Sequence, residues 1–163
     1  MIGRGPKKSS REPDNREQAL QLAMKLLAAR SHAQKELARK LQTAGFTAEC
    51  VSDTLDTCLN NRWLNDEEFA RHNVSALIRD RGHGPLSILH RLIEHGVFRP
   101  LAEKVLAEQS EGVDWDARAR ALIERRLEPP FDRKALAREQ RFLMGRGFSL
   151  ETIRRVLPWE DMS

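Results

Sequence analysis

ELARKLQTAGF at residues 36–46 recurs without gaps, at a spacing of 51 residues, as SILHRLIEHGV at 87–97 and as REQRFLMGRGF at 138–148. Two apolar or small positions coincide in all three copies: Leu41, Leu92 and Leu143, and Gly45, Gly96 and Gly147. Self-similarity at a fixed period of this length indicates a repeat architecture, in which each repeat is one supersecondary unit. The 163-residue chain is therefore predicted to hold three tandem repeats.

The recurring glycine marks a helix end, because the residue after a helix often adopts a left-handed backbone conformation that glycine adopts without strain. Phe46 with Thr47, and Phe148 with Ser149, then predict a hydrophobic staple and an N-cap for the next helix. Ser31 with Gln34 predicts a capping box, and Gly84-Pro85 places proline in a first turn. Further helix starts are indicated at Asn65, Asp114 and Asp132.

These signals predict nine helices in three trios: 16–30, 32–44 and 48–61; 66–81, 85–95 and 99–110; 115–128, 133–146 and 150–157. No segment alternates with period two, so the expected fold is all-α, with three stacked three-helix repeats that form an elongated, curved molecule. The predicted organisation is a flexible basic tail (1–15) and three repeats (16–64, 65–113 and 114–158).

The composition limits the protein's environment and chemistry. No apolar run could cross a bilayer and residues 1–16 lack a signal peptide, so a cytoplasmic location is expected. Cys50 and Cys58 would lie too far apart on one helix for a disulfide and are predicted to be buried apolar residues. The histidines have no zinc spacing, and His90 with Glu94 is interpreted as an exposed pair. Without a nucleophile, metal or phosphate-loop pattern, the sequence predicts neither an enzyme nor a cofactor, and Gly82 to Pro85 is interpreted as a linker.

Positive charge is concentrated toward the C-terminal third, where residues 115–157 hold 11 basic and 6 acidic side chains, whereas residues 65–114 hold 6 and 9. The second helix of each repeat carries cations, which a stack of repeats would align into a stripe that neutralises phosphates. Ordinary solvated surface charge is the alternative. The candidate binding residues are Arg30, Lys35, Arg39, Lys40, Arg125, Arg126, Lys134, Arg138, Arg141 and Arg146. Six aromatic residues fall at staples or helix starts and are expected in the core: Phe46, Trp63, Phe69, Trp115, Phe131 and Phe148. Any DNA contacts should therefore be to the DNA backbone and salt-sensitive.

Four motifs occur in the order known from one protein family. They are the opening segment from Ala19 to Leu41, WLNDEEFA at residues 63–70, GHGP at 82–85, and RFL with RGF between residues 141 and 148. In this order, over residues 16–157, they resemble the RecX regulatory proteins.

The resemblance implies a modulator of RecA that takes part in homologous recombination, DNA repair and the SOS response. Such proteins bind the groove of the RecA–DNA filament, restrain its ATPase and strand-exchange activities, and bind single- and double-stranded DNA non-specifically. We expect a monomer that makes no membrane contact.

Two other functions fit the same residues. A helical-repeat scaffold would bind an acidic peptide and no DNA, and a helix-turn-helix protein would bind duplex DNA in a sequence-specific way, with Arg138, Gln140 and Arg141 toward the bases. The middle repeat departs from the family pattern, with Ser87 where a basic residue and Arg91 where an acidic residue is usual. Because these substitutions change the ionic contacts expected of the middle repeat, the functional prediction rests on the first and third repeats.

Overall fold

The computed structural model describes residues 12–129 and 131–159. This part of the chain contains no strand and forms nine helices. They are α1 (Arg16–Ala29), α2 (Gln34–Thr43), α3 (Ala48–Asn60), α4 (Asp66–Asp80), α5 (Pro85–Glu94), α6 (Arg99–Gln109), α7 (Trp115–Ile123), α8 (Arg133–Gly145) and α9 (Leu150–Val156). The predicted all-α fold of three helical trios is confirmed.

The helix ends follow the predicted local chemistry at most positions. Thr47 caps α3 by accepting a hydrogen bond from the Cys50 amide, and Ser149 caps α9 in the same way. The three recurring glycines have left-handed backbones, with φ of +102° at Gly45, +93° at Gly96 and +83° at Gly147. Short-range patterns therefore determine where these helices begin and end.

The start of α2 differs from the prediction. Ser31 is not its N-cap, because the helix begins at Gln34 and Ala33 holds the cap position without a side-chain hydrogen bond. The Gln34 amide instead donates to the carboxylate of Asp66, at 2.6 Å. The cap is supplied by a residue distant in sequence, while the segment before α2 turns inward and buries His32.

Helix α7 is shorter than predicted. It ends at Ile123, and the chain continues through a turn in which the Arg126 amide donates to the Ile123 carbonyl at 2.8 Å. Proline at 129 disfavours a helical backbone at the preceding residue. Leu127 packs against the core of the third trio, and the turn leaves Arg126 within reach of α8.

The chain divides into two compact units, Met1–Asp66 and Glu67–Ser163. In the first, α1, α2 and α3 pack on one another around a core that includes Leu37, Leu41 and both cysteines. Cys50 and Cys58 are buried and unbridged, as predicted. Burial is the largest influence on both thiols and raises the pKa of each.

In the second unit, α5 packs on α6, and α7 and α8 pack on α9 around a core that includes Leu136, Leu143 and Phe148. The backbones of the second and third repeats meet at Gly84 and Gly147. Gly84 donates its amide to the Arg146 carbonyl at 2.7 Å, and the Leu86 amide donates to the Gly147 carbonyl at 3.0 Å. A Cβ atom on Gly84 would overlap the Gly147 carbonyl. The segment interpreted as a linker is thus a contact between the second and third repeats.

Part of the predicted tail is attached to the first unit. The Thr47 amide donates to the Pro13 carbonyl at 3.0 Å, and the Thr47 hydroxyl donates to the Asp14 carboxylate at 2.7 Å. Asn15 caps α1. Residues 12–15 are therefore not a free tail, because they complete the starts of α1 and α3; residues 1–11 lie outside the described residues.

Candidate nucleic-acid interface

Three arginines of the third repeat converge on two side chains of α8. We call Arg126, Arg138 and Arg146 the arginine cluster. Arg126 lies in the turn after α7, Arg138 lies within α8, and Arg146 is the C-cap residue of α8. All three are exposed at the surface. The short α7 and the extent of α8 together bring these cations to one site.

Glu139 is the anionic centre of the cluster. Its side chain is 0% exposed, and its two carboxylate oxygens accept from Arg126 Nε at 2.7 Å and from Arg138 Nε at 3.0 Å. Burial alone would raise the pKa of Glu139, but the hydrogen bonds from Arg126 and Arg138 outweigh burial and hold its pKa below the usual value. The buried carboxylate is therefore ionised and paired at neutral pH.

Phe142 forms the second contact point of the cluster. The Arg126 guanidinium carbon lies 4.0 Å from the ring centroid, and that of Arg146 lies 5.2 Å from it. Arg146 also donates to the Gly82 carbonyl at 3.5 Å. Cation–π contact orients a guanidinium while leaving its edge open to other partners.

Three further predicted residues of this repeat are exposed: Arg125, Lys134 and Arg141. Within residues 12–129 and 131–159, their side chains form no hydrogen bond or ion pair. Arg141 lies on the same helix as Arg138. These residues are cations without an internal partner in the described part of the chain, and can contact an external anion without breaking an interaction within the fold.

The first repeat has a related arrangement around Glu36, whose side chain is largely buried. Arg30 donates to its carboxylate at 2.5 Å, and Lys40 lies 3.6 Å away. Burial would raise the pKa of Glu36, but the hydrogen bond and charge of Arg30 lower it overall. Arg30 and Lys40 are thus engaged within the fold, whereas Lys35 and Arg39 are exposed on α2.

His32 lies beside this group and was missed by the sequence analysis. It is 3% exposed. Its Nδ1 donates to the Arg30 carbonyl at 2.9 Å, so its Nε2, 3.0 Å from Lys40 Nζ, accepts from the ammonium. The imidazole is therefore neutral, and burial is the main cause that lowers its pKa.

The second repeat lacks a buried glutamate of this kind. Ser87 occupies the position of Glu36, and its hydroxyl lies 3.3 Å from Nδ1 of His83, which occupies the position of His32. Arg71 pairs with Glu67 and Glu108 instead. The described contacts of this repeat thus differ from those of its neighbours. The predicted stripe across all three repeats stays a prediction.

Trp63 is an exception to the expected burial of aromatic residues. It is 45% exposed and lines a groove of about 300 Å³ with Met24, Leu27 and Ala28. The chain turns at Arg62, whose φ is +58°, and Leu64 enters the core in place of the indole. Phe46, Phe69 and Phe148 are buried, as expected.

His90 and Glu94 form an exposed pair, with Nδ1 and the carboxylate 3.6 Å apart. Among the described residues, no group of three or more potential metal ligands occurs. No helix in the same residues combines the length and apolarity needed to span a membrane.

The buried charge of Glu139 could have been predicted from the repeat alignment. In the 51-residue alignment, Leu37 and Ile88 occupy the position of Glu139, and both are fully buried. A carboxylate in a column of buried apolar residues, next to Arg138, indicates a buried ion pair.

Comparisons with known proteins agree with this fold. Family models described as the first and the third three-helix domain of RecX match residues 19–58 and 113–157. The chain is similar to the regulatory protein RecX of Halorhodospira halophila, at 37% identity over 81% of each chain. It is also similar to that of Pseudomonas fluorescens, at 35% identity over 86% of this chain and 90% of the relative.

A crystal structure of RecX from Lactobacillus salivarius matches with a TM-score of 0.77 at 20% identity, over 88% of this chain and 94% of that one. A second crystal structure, of regulatory protein RecX, has a TM-score of 0.76 at 19% identity, over 86% of this chain and 72% of that one. These two matches support the fold. The curated relatives, at 37% and 35% identity over most of each chain, show that the chain belongs to the RecX family of regulatory proteins.

Proposed function

We propose that this protein regulates RecA by binding in the groove of the RecA–DNA filament and inhibiting the filament's activity. Membership of the RecX family supports a regulatory role, and the cations of the third repeat supply a means of contact with the DNA. The contact is to the phosphate backbone, on single- and double-stranded DNA, and carries no base sequence preference.

The observation that carries this proposal is the surface of the third repeat. Three clustered arginines are oriented by Glu139 and Phe142, and Lys134 and Arg141 are exposed on the same helix without a partner among the described residues. Arginine matches the geometry of phosphate with its planar fork of donors. Binding to the phosphate backbone of DNA releases counterions from the DNA. This release favours binding less at high salt, so the affinity falls steeply as salt is raised.

The test is the DNA-dependent ATPase rate of RecA, measured while this protein is added. We expect the rate to fall at sub-stoichiometric amounts of the parent protein. Arg141→Glu should inhibit less, with DNA affinity lower by roughly tenfold at physiological salt, because one phosphate contact is replaced by repulsion. Arg141 has no described internal partner, so the fold should be unchanged by circular dichroism.

The matched control is Arg99→Glu in the second repeat. It makes the same change in net charge at an exposed side chain whose described ion pair, to Glu103, is also exposed. It should inhibit like the parent. If Arg141→Glu and Arg99→Glu inhibit equally, the third-repeat surface is not the contact site. If the parent leaves both the ATPase rate and filament binding unchanged, regulation of RecA is wrong.

A further inference from the structure

The buried Glu139 is unusual for its position. The other two repeats have the apolar residues Leu37 and Ile88 there, both fully buried. A buried ion pair is seldom more stabilising than an apolar side chain of similar volume, because both charges lose their hydration. Glu139 is therefore poorly explained by stability alone.

The geometry of its two ion pairs leaves most of each arginine available. Both Arg126 and Arg138 contact Glu139 through Nε only. The four N–H groups on the two terminal nitrogens of each guanidinium have no hydrogen-bond partner within residues 12–129 and 131–159. These side chains are 43% and 60% exposed, so the unused donors are accessible to a ligand from solvent.

Phe142 and Arg146 define the rest of the site. The guanidiniums of Arg126 and Arg146 both lie over the Phe142 ring. Three cations and one carboxylate leave the site with a net charge of +2. Two guanidiniums held through Nε, with their terminal nitrogens free of described partners, suit a tetrahedral oxyanion that accepts from several N–H groups at once.

We propose that Glu139 is a positioning residue, which holds Arg126 and Arg138 so that their terminal nitrogens bind one phosphodiester group of the DNA backbone. This inference rests on the proposed function and names the atoms of one of its contacts. Glu139 does not touch the phosphate. By holding the two long arginine side chains in place before DNA binds, it lowers the conformational entropy that they lose on binding.

The test is Glu139→Leu, which installs the residue found at position 37 of the first repeat. Net charge alone predicts tighter DNA binding, because a negative charge is removed beside the DNA. Positioning predicts the opposite, with affinity for a labelled single-stranded oligonucleotide lower by roughly five- to tenfold. We also expect the slope of log affinity against log salt to become shallower by about 0.7, the value of one phosphate contact on a single strand. Fluorescence anisotropy measures both.

The matched control is Glu128→Gln, which removes one negative charge from an exposed side chain near the cluster in sequence. It should bind as tightly as the parent or slightly more tightly. Thermal melting by circular dichroism should show Glu139→Leu to be at least as stable as the parent. Weaker binding by a variant that is both more positive and well folded supports positioning.

A second pair of variants keeps the proposal testable if Glu139→Leu does not fold. Arg126→Lys and Arg138→Lys keep the charge but remove the fork, so each should bind DNA more weakly than the parent with an unchanged net charge. The proposal would be overturned if both lysine variants bound DNA as tightly as the parent. It would also be overturned if a folded Glu139→Leu bound DNA more tightly than the parent.

Arg141→Glu in the same assay separates this inference from the proposed function. If Arg141→Glu weakens DNA binding and Glu139→Leu does not, positioning is wrong and the interface stands. If neither weakens it, the interface itself is wrong. If Glu139→Leu lowers affinity for RecA alone but not for DNA, the ligand is a protein carboxylate and the phosphate assignment is overturned.

Discussion

His32 is a buried imidazole with a defined partner at each ring nitrogen. Nδ1 donates to the Arg30 carbonyl and Nε2 accepts from the Lys40 ammonium, so a second proton would place two cations against each other. Glu36, Arg30 and Lys40 are the charged groups around it. Burial lowers the pKa of His32 from its ordinary value of 6.5. The neutral imidazole therefore contributes its full stabilisation above about pH 6.5, and this stabilisation is lost as the pH falls through the lower pKa of His32 in the folded protein.

His32→Gln should reduce this loss, because glutamine can donate and accept at the same places without titrating. Between about pH 7.5 and about pH 5.5, the free energy of unfolding in urea should fall for the parent and fall less for the variant. His90→Gln, at an exposed histidine, should keep the parent's pH dependence. Identical pH profiles for His32→Gln and the parent would show that His32 takes up its proton without cost to the fold.

The two buried glutamates act in a separate pH range. Glu36 and Glu139 both have pKa values lowered from 4.5 by their arginine partners despite burial. Their contribution to stability is present above that value and lost as the pH falls through the lower pKa of each. A loss of stability nearer neutrality therefore reports on buried histidines such as His32, whereas a loss below about pH 4.5 reports on buried carboxylates such as Glu36 and Glu139.

Among the helices, α2 shows what local sequence patterns can and cannot determine. Thr47 and Ser149 were predicted as caps and are caps, because the capping oxygen and the amide it binds lie within three residues. For α2, the capping oxygen comes from Asp66, 32 residues away, and no pattern around Ser31 could indicate it. The early end of α7 is likewise accompanied by contacts with α8 and the core, namely the packing of Leu127 and the ion pair of Arg126 with Glu139.

The cap on α2 gives a direct test. Asp66→Ala should lower the free energy of unfolding by about 1 kcal/mol, the usual cost of removing an N-cap acceptor. Asp66→Asn keeps an oxygen for the Gln34 amide and should cost less. Ser31→Ala should have almost no effect, which chemical denaturation can measure in the same series. A larger cost at Ser31 than at Asp66 would restore the capping box predicted from sequence.

The contact between the second and third repeats gives another test of stability. Gly147 has a φ of +83°, and a Cβ atom there would overlap the backbone of Ser87. Gly45 has a φ of +102° with open space around the same atom. Gly45→Ala should therefore cost only the left-handed backbone, about 1–2 kcal/mol. Gly147→Ala should cost more, because the overlap adds to the same strain. Equal costs in urea unfolding would mean that the backbones can separate without penalty.

Across the whole molecule, the repeat period predicted the helices and the placement of the exposed cations on α2 and α8. It did not predict which cations are engaged: Arg30 and Lys40 pair with Glu36, and Arg126 and Arg138 pair with Glu139. Those pairings depend on tertiary distances that no spacing along one helix contains. The exposure of Trp63 likewise depends on tertiary packing, because the chain turns at Arg62 and Leu64, not Trp63, is buried.

The two buried cysteines make the opening of the first unit measurable by thiol labelling. The chain has two cysteines, and both are buried in the core of the first unit. A thiol reagent can therefore react only when that core opens, and the rate of modification measures how often it does so. The second unit contributes no thiol. Labelling the unaltered protein would thus follow the opening of the first unit alone.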